Sequence, residues 1–150
     1  MANNPRVPEA KHPFNHSIDV QLRFNDVDMF GHVNNTVYLQ FFDLGKMMYF
    51  NAVLGDDFMK KGLYVVIANI NCNFYSPTYL EEPLLVLSTI DHWGEKSLIL
   101  SQRIINKNTG DVKCDASTVM VGFDPKTLKS AELPKDIRES FVNFEQRDFD

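Results

Sequence analysis

The sequence predicts an α+β fold in which one long helix, apolar on more than one face, is wrapped by a curled five-stranded antiparallel sheet. Two observations carry this. Residues 34–50 place apolar side chains at helical spacing on two adjoining faces, and four later segments are rich in Val, Ile and Leu with only short links between them. Links of that length leave no room for crossover helices. Consecutive strands are therefore expected to run antiparallel, the last four as a meander. The chain has 150 residues and is 44% apolar, which suits one domain over 1–150 with a core that needs no disulfide or structural metal. Residues 1–15 and 145–150 are polar enough to be expected to fray.

From His16 to Phe24, the residues Ile18, Val20, Leu22 and Phe24 alternate with Ser17, Asp19, Gln21 and Arg23. This is a period-2 strand with one wet face. Residues 25–33 hold two aspartates and a glycine without a sustained period, and read as a loop long enough to carry function. Either Asn34 or Asn35 can cap the helix that follows. Val37, Phe41, Leu44 and Met48 mark one of its faces, and Tyr38, Phe42, Gly45 and Tyr49 the next. Such a helix is expected to be buried on several sides. A glycine inside a helix costs about 1 kcal/mol relative to Ala, so close approach to a sheet is the expected compensation at Gly45. Strands Val65–Tyr75, Leu84–His92, Leu98–Ile105 and Lys113–Phe123 follow, and Lys135–Gln146, with Ile137, Phe141 and Phe144, predicts a short terminal helix. Open sheet edges and so apolar a helix point to a homodimer or higher homo-oligomer.

Composition excludes several function classes. The net charge is −5 and the densest basic spot is only Lys60-Lys61, which argues against nucleic acid as a partner. The longest apolar run, Leu63–Ala68, is six residues where a membrane span needs about 20, so no membrane partner is expected. The first fifteen residues contain no apolar block, and no secretory signal is read there. Cys72 and Cys114 lie in alternating patterns without CxxC spacing. They read as buried free thiols in a reducing, cytoplasmic setting, with no metal site.

The segment Arg23-Phe-Asn-Asp26-Val-Asp28-Met-Phe-Gly31-His32-Val-Asn34-Asn35-Thr-Val-Tyr38 concentrates the chemistry. It sets a carboxylate, Asp28, seven residues before Asn35 at the start of a buried helix. Free N–H groups at a helix N-terminus suit a developing oxyanion. A nearby carboxylate can attack a carbonyl or activate water. Together they point to acyl-group chemistry on an activated carbonyl. Plainer readings stand beside this one. Asp28 suits an Asx turn as well as catalysis, and Asp26 reads as structural. Gly31 fits a positive φ, His32 fits packing, and Asn34 and Asn35 are caps first. Asp43 has Lys46 three residues on as a helix partner, and Lys96-Ser97 fits a solvated hairpin tip. Phe30, Tyr38, Phe41, Phe42 and Tyr75 are core residues, or line an acyl tunnel.

On these residues the sequence resembles the hotdog-fold acyl-CoA thioesterases of the 4-hydroxybenzoyl-CoA thioesterase type. The resemblance rests on Phe24, the Asp26-x-Asp28 pair, Gly31, Tyr38 and Asp43, on Cys72-Asn-Phe74, Pro77 and Glu81-Glu82, and on Trp93-Gly-Glu-Lys96-Ser97. It implies a hotdog fold, a homodimer or homotetramer, and hydrolysis of acyl-CoA thioesters to free acid and coenzyme A without a cofactor. It assigns Asp28 as nucleophile or general base and the Asn35 backbone N–H as the group polarising the thioester carbonyl. Gly31 and Tyr38 fall at the substrate, and Lys96 and Ser97 toward the nucleotide or pantetheine end of coenzyme A. The His32-Val-Asn34-Asn35 stretch also resembles acyl-ACP thioesterases, where an Asn two residues before the His helps build the site; here that position is Phe30. His32 would then orient water or substrate. Lys46 stands where many relatives carry Arg. Acyl-ACP hydrolysis and a non-catalytic acyl-CoA or acyl-carrier binding module are the alternative readings.

Overall fold

The computed structural model describes residues 4–149. β1 (His16–Val20) is shorter than the pattern predicts. Its last predicted residues are drawn into a tight 3-10 turn at Phe24–Asp26. The buried Asp26 carboxylate accepts the Arg23 backbone N–H at 2.7 Å and the guanidinium at 3.0 Å, and that ion pair ends the strand. Helix α1 spans Asn35–Leu54, capped by Asn34, whose Oδ1 accepts the Thr36 N–H at 3.1 Å. The remaining strands are β2 (Val65–Phe74), β3 (Leu84–Trp93), β4 (Ser97–Asn106), β5 (Val112–Asp124) and the two-residue β6 (Lys129–Ser130), followed by helix α2 (Lys135–Glu145).

The five long strands form one curled antiparallel sheet in the order β1-β3-β4-β5-β2, with β6 added beside β5. This is the hotdog architecture, with α1 packed on the sheet. One expectation is corrected. β3, β4 and β5 form a meander, but β2 pairs with β5 at the far edge instead of preceding β3 within it. Residues 75–83 reach about 30 Å when extended, against roughly 15 Å for three inter-strand steps. A link too short for a helix is therefore long enough to cross two strands.

Gly45 lies where α1 meets the sheet most closely. A Cβ there would stand 2.5 Å from Val86 Cγ1 and 3.2 Å from Gln102 Nε2. Gln102, buried in β4, donates to the Phe42 carbonyl at 3.0 Å and to Ser88 Oγ at 2.9 Å, tying α1 to β3 and β4. Around this contact the core divides in two. Toward the start of α1, Val37, Tyr38 and Phe42 pack with Val86, Ile104 and Cys114. Toward its end, Tyr49 and Phe50 pack with Ile90, Trp93, Leu98, Leu100 and, from α2, Ile137 and Phe141. The helix is not buried on every side in the single chain: Leu39, Leu44, Met47 and Met48 remain exposed.

The ends expected to fray are tied down over their described residues. Arg6 and Asn4 donate to the Tyr75 carbonyl, His12 pairs with Asp91 at 3.2 Å, and Phe149 stacks on Trp93. Residues 1–3 and 150 fall outside the described residues.

Gly45→Ala is expected to lower stability by about 1–3 kcal/mol through overpacking, despite the gain of about 1 kcal/mol in helix propensity; urea unfolding reads the balance, and a stabilised variant would mean that the contact is slack. A second expectation concerns pH. Burial lowers the His16 pKa from its ordinary 6.5, and Glu145 only partly offsets this. The unfolded chain then takes a proton at a pH where the folded chain does not, so stability falls as pH drops through and below about 6.5. Unfolding midpoints between pH 7 and pH 5 should show this slope, and His16→Phe should flatten it.

Candidate active site

The turn that precedes α1 is built on Asp28. Its carbonyl accepts the Gly31 N–H at 3.0 Å, and its own N–H donates to the His32 carbonyl at 2.8 Å. Its side-chain Oδ1 accepts the Phe30 N–H at 2.9 Å and the His32 N–H at 3.3 Å. Gly31 adopts φ +79°, a conformation with a steric cost for any residue bearing a Cβ. The Asx turn is therefore real, and it orients the carboxylate: Oδ1 is engaged by the backbone while the side chain stays exposed in the cleft. Met29 and Phe30 project outward from the same turn, exposed.

A cleft of about 240 Å³ brings together Asp28, His32, Val33, Asn35 and Tyr38 on one side and Phe74, Tyr75, Ser76 and Pro77 on the other. Asn34 uses its side chain on the Thr36 N–H and its carbonyl on the Val37 N–H. Among the described residues, the Asn35 N–H is thus a first-turn donor without a protein acceptor, as a helix N-terminus leaves it. His32 is half-buried and meets Tyr79 edge-on at 5.2 Å. Tyr38 is buried and its hydroxyl donates to Thr78 Oγ1 at 2.8 Å; burial raises its pKa, so it remains a neutral donor.

The far wall of the cleft depends on residues that periodicity did not single out. The Thr78 carbonyl accepts the Val33 N–H at 2.8 Å, which clamps the 75–83 link to the Asp28 loop. Beneath it lies Lys113, buried at a bulge in β5 that turns two successive side chains inward. Its ammonium meets Glu82 at 2.8 Å, Asp111 at 3.4 Å and the Pro77 carbonyl at 3.1 Å. Burial pushes the Glu82 carboxyl up, but hydrogen bonds from Lys113, the Tyr79 N–H and Asn106 outweigh it and hold the carboxyl below its usual range. A lysine in a polar stretch carries no sequence signal of burial; only the bulge reveals it.

Other expected residues lie elsewhere. Lys96 lies in the β3–β4 turn and Ser97 opens β4 opposite Val121, and neither lines this cleft in the single chain. Asp43 pairs with Lys46 at 3.1 Å on the helix surface. The Cys114 thiol is buried, and burial pushes its pKa up, with smaller contributions from Cys72 and Asp115; it is an inert packing thiol rather than a nucleophile. Among the described residues, no group of three or more His, Cys, Asp or Glu side chains is placed to hold a metal ion, and no helix is long and apolar enough to cross a membrane.

Residues 22–141 match a protein family, the thioesterase-like superfamily, which spans both the Asp28 turn and the whole sheet from β3 to β2. The chain belongs to that superfamily. It is 32% identical over 123 residues to the long-chain acyl-CoA thioesterase FadM of Escherichia coli, covering 80% of this chain and 92% of that protein. It is 26% identical over 125 residues to the acyl-CoA thioester hydrolase YbgC of Escherichia coli, covering 81% and 92%. Among solved structures it is similar to a thioesterase from Thermus thermophilus complexed with coenzyme A and Zn, with a TM-score of 0.79, 28% identity and coverage of 89% of this chain and 96% of that one. In this superfamily member, then, the start of α1 and the exposed carboxylate fall within one shared domain.

Replacing Lys113 with Ala leaves two carboxylates facing each other without their cation. The expected loss is about 2–3 kcal/mol, below the figure for a fully buried pair because Glu82 and Asp111 are partly solvated. Denaturant unfolding measures it, and a loss under about 0.5 kcal/mol, as at ordinary surface sites, would show that the network does not hold the wall.

Proposed function

We infer that the protein hydrolyses acyl-CoA thioesters to free acid and coenzyme A. The observation that carries this reading is a carboxylate, Asp28, held by its own turn at the N-terminus of a buried helix, in a chain of the thioesterase-like superfamily. The thioester carbonyl oxygen accepts the Asn35 N–H, which favours the charge that builds on that oxygen in the tetrahedral intermediate. Asp28 acts in one of two ways. As general base it takes a proton from water as the water oxygen bonds to the acyl carbon. As nucleophile it bonds to that carbon itself, and water later cleaves the resulting anhydride. In both cases the C–S bond breaks with its electron pair leaving on sulfur. A thiol of pKa about 8.5 is a good leaving group, so the step asks for no strong acid.

Gly31 lets the turn close, His32 orients water or substrate at the cleft floor, and the Tyr38 ring forms its side. Lys96 and Ser97 are assigned to the nucleotide or pantetheine end of coenzyme A. They reach it from a second copy of the chain, since they lie away from Asp28 in one copy. The same inference explains the unpaired edge of β2, which exposes Val66, Ile67, Ile70 and Phe74 beside solvent; a long apolar edge is a template for pairing. A cleft of about 240 Å³ is also smaller than the roughly 300–1,000 Å³ of sites that enclose drug-sized ligands. A homo-oligomer in which the second copy completes the site answers all three points. We assign the enzyme to the cytoplasm, as one domain.

Thiol release from a panel of short, long and aromatic acyl-CoA thioesters, with the same acyl groups on acyl carrier protein, tests the reading. Asp28→Asn keeps the Oδ1 acceptor of the turn and replaces the charged second oxygen with a neutral amide nitrogen. Turnover is expected to fall by about 10²-fold or more at unchanged stability. Equal turnover would remove Asp28 from the mechanism, and binding without any thiol release would make the protein a binding module.

A further inference from the structure

Residues 4–12 begin beside the cleft wall at Tyr75 and cross the outer face of the sheet toward β1. Arg103 in β4 donates to the Pro8 carbonyl. His12 and Lys11 meet Asp91, the bulged residue of β3, at 3.2 and 3.7 Å. Ahead of these anchors, Arg6 Nη2 and Asn4 Nδ2 donate to the Tyr75 carbonyl at 3.0 and 3.3 Å. Tyr75 follows the last paired residue of β2, Phe74 opposite Cys114. Its carbonyl has therefore left the ladder, and among the described residues Asn4 and Arg6 are its only donors.

Tyr75 is held on its other sides as well. Its N–H donates to the Lys113 carbonyl at 2.8 Å, and its hydroxyl donates to Asp115 Oδ2 at 2.8 Å. Asp115 of β5 faces Arg103 of β4 across the register, so the residue that holds the phenol is paired with the one that anchors Pro8. Tyr75, Ser76 and Pro77 are the wall that faces Asp28 and Asn35. These anchoring residues, 4–12, lie outside the matched family region 22–141.

We propose that residues 4–12 form a strap that positions the Tyr75–Pro77 wall of the substrate cleft, with Arg6 as the positioning residue. The proposal rests on the thioesterase reading for its consequence in catalysis, and on hydrogen bonds alone for the coupling itself. Arg6 touches neither the thioester nor Asp28. It acts by fixing a carbonyl at the point where β2 gives way to the wall, so that the width of the cleft is set before substrate enters. Losing it loosens ground-state and transition-state contacts alike, which appears in KM rather than kcat.

The test uses the full chain as wild type, Arg6→Ala and Arg6→Lys, with kcat and KM measured on acyl-CoA esters of increasing chain length and amide hydrogen exchange followed at Tyr75 and Ser76. Arg6→Ala is expected to raise KM roughly 3- to 10-fold with kcat within about 2-fold and to speed exchange at Tyr75 and Ser76, leaving α1 unchanged. Arg6→Lys, which keeps one charged donor, should recover much of both. Unchanged exchange overturns the proposal, and so does a lowered melting temperature with unaltered KM, because that is what a merely structural strap gives. If the wild type turns over no thioester, the functional reading fails separately. The exchange comparison then still decides: faster exchange in Arg6→Ala supports the strap, and unaltered exchange ends it.

Discussion

The place where α1 comes closest to the sheet governs the rest of the molecule. With no side chain at Gly45, the helix can approach until Val86 fills the space a Cβ would take, and Gln102 locks the approach by bonding to the Phe42 carbonyl and Ser88. A helix held at that distance has its beginning fixed too. The first turn, where Asn35 lines the cleft, therefore sits at a set height above the sheet. A larger residue at position 45 lifts the helix, and the consequence reaches the site through the rigid rod between them, since packed interiors transmit displacement instead of absorbing it.

Around that fixed helix start, the site is assembled from short-range bonds within two loops. The Asp28 turn engages Oδ1 of its own carboxylate, and the 75–83 link is held by Lys113 beneath, Val33 in front and the N-terminal strap behind. Binding and catalytic groups on loops need such support, because loops lack the repeated ladder that steadies a strand. The buried lysine is costly to desolvate by itself. Here its two carboxylate partners and the Pro77 carbonyl supply the compensation, and the result is a rigid wall opposite the carboxylate.

Much of this was legible in the sequence. The long helix, its capping asparagine, the close approach at Gly45 and the Asp43–Lys46 pair all follow from spacing and side-chain chemistry, and each is present. The Asx turn read at Asp28 is present, and it does not exclude the catalytic reading, because a carboxylate has two oxygens and the turn binds Oδ1. What escaped the sequence was non-local. The pairing of β2 with β5 is a matter of reach across the sheet, which periodicity does not encode. Lys113 is buried by a one-residue bulge, and the docking of residues 4–12 depends on partners far along the chain. The exposed stripe of Leu44 and Met48 shows the converse: apolar periodicity marks a face of the helix without saying whether the single chain buries it.

In the proposed reaction the thioester carbonyl is received at the start of α1 with Asp28 beside the acyl carbon. A crystal structure with an acyl-CoA analogue in which a methylene separates the carbonyl from sulfur, so that no hydrolysis occurs, tests it most directly. The carbonyl oxygen is expected at about 3 Å from the Asn35 nitrogen, with the Asp28 carboxylate in contact with the acyl carbon or with a water set to attack it. An analogue seated with its carbonyl away from the α1 N-terminus, or with Asp28 turned out of the cleft, would contradict it.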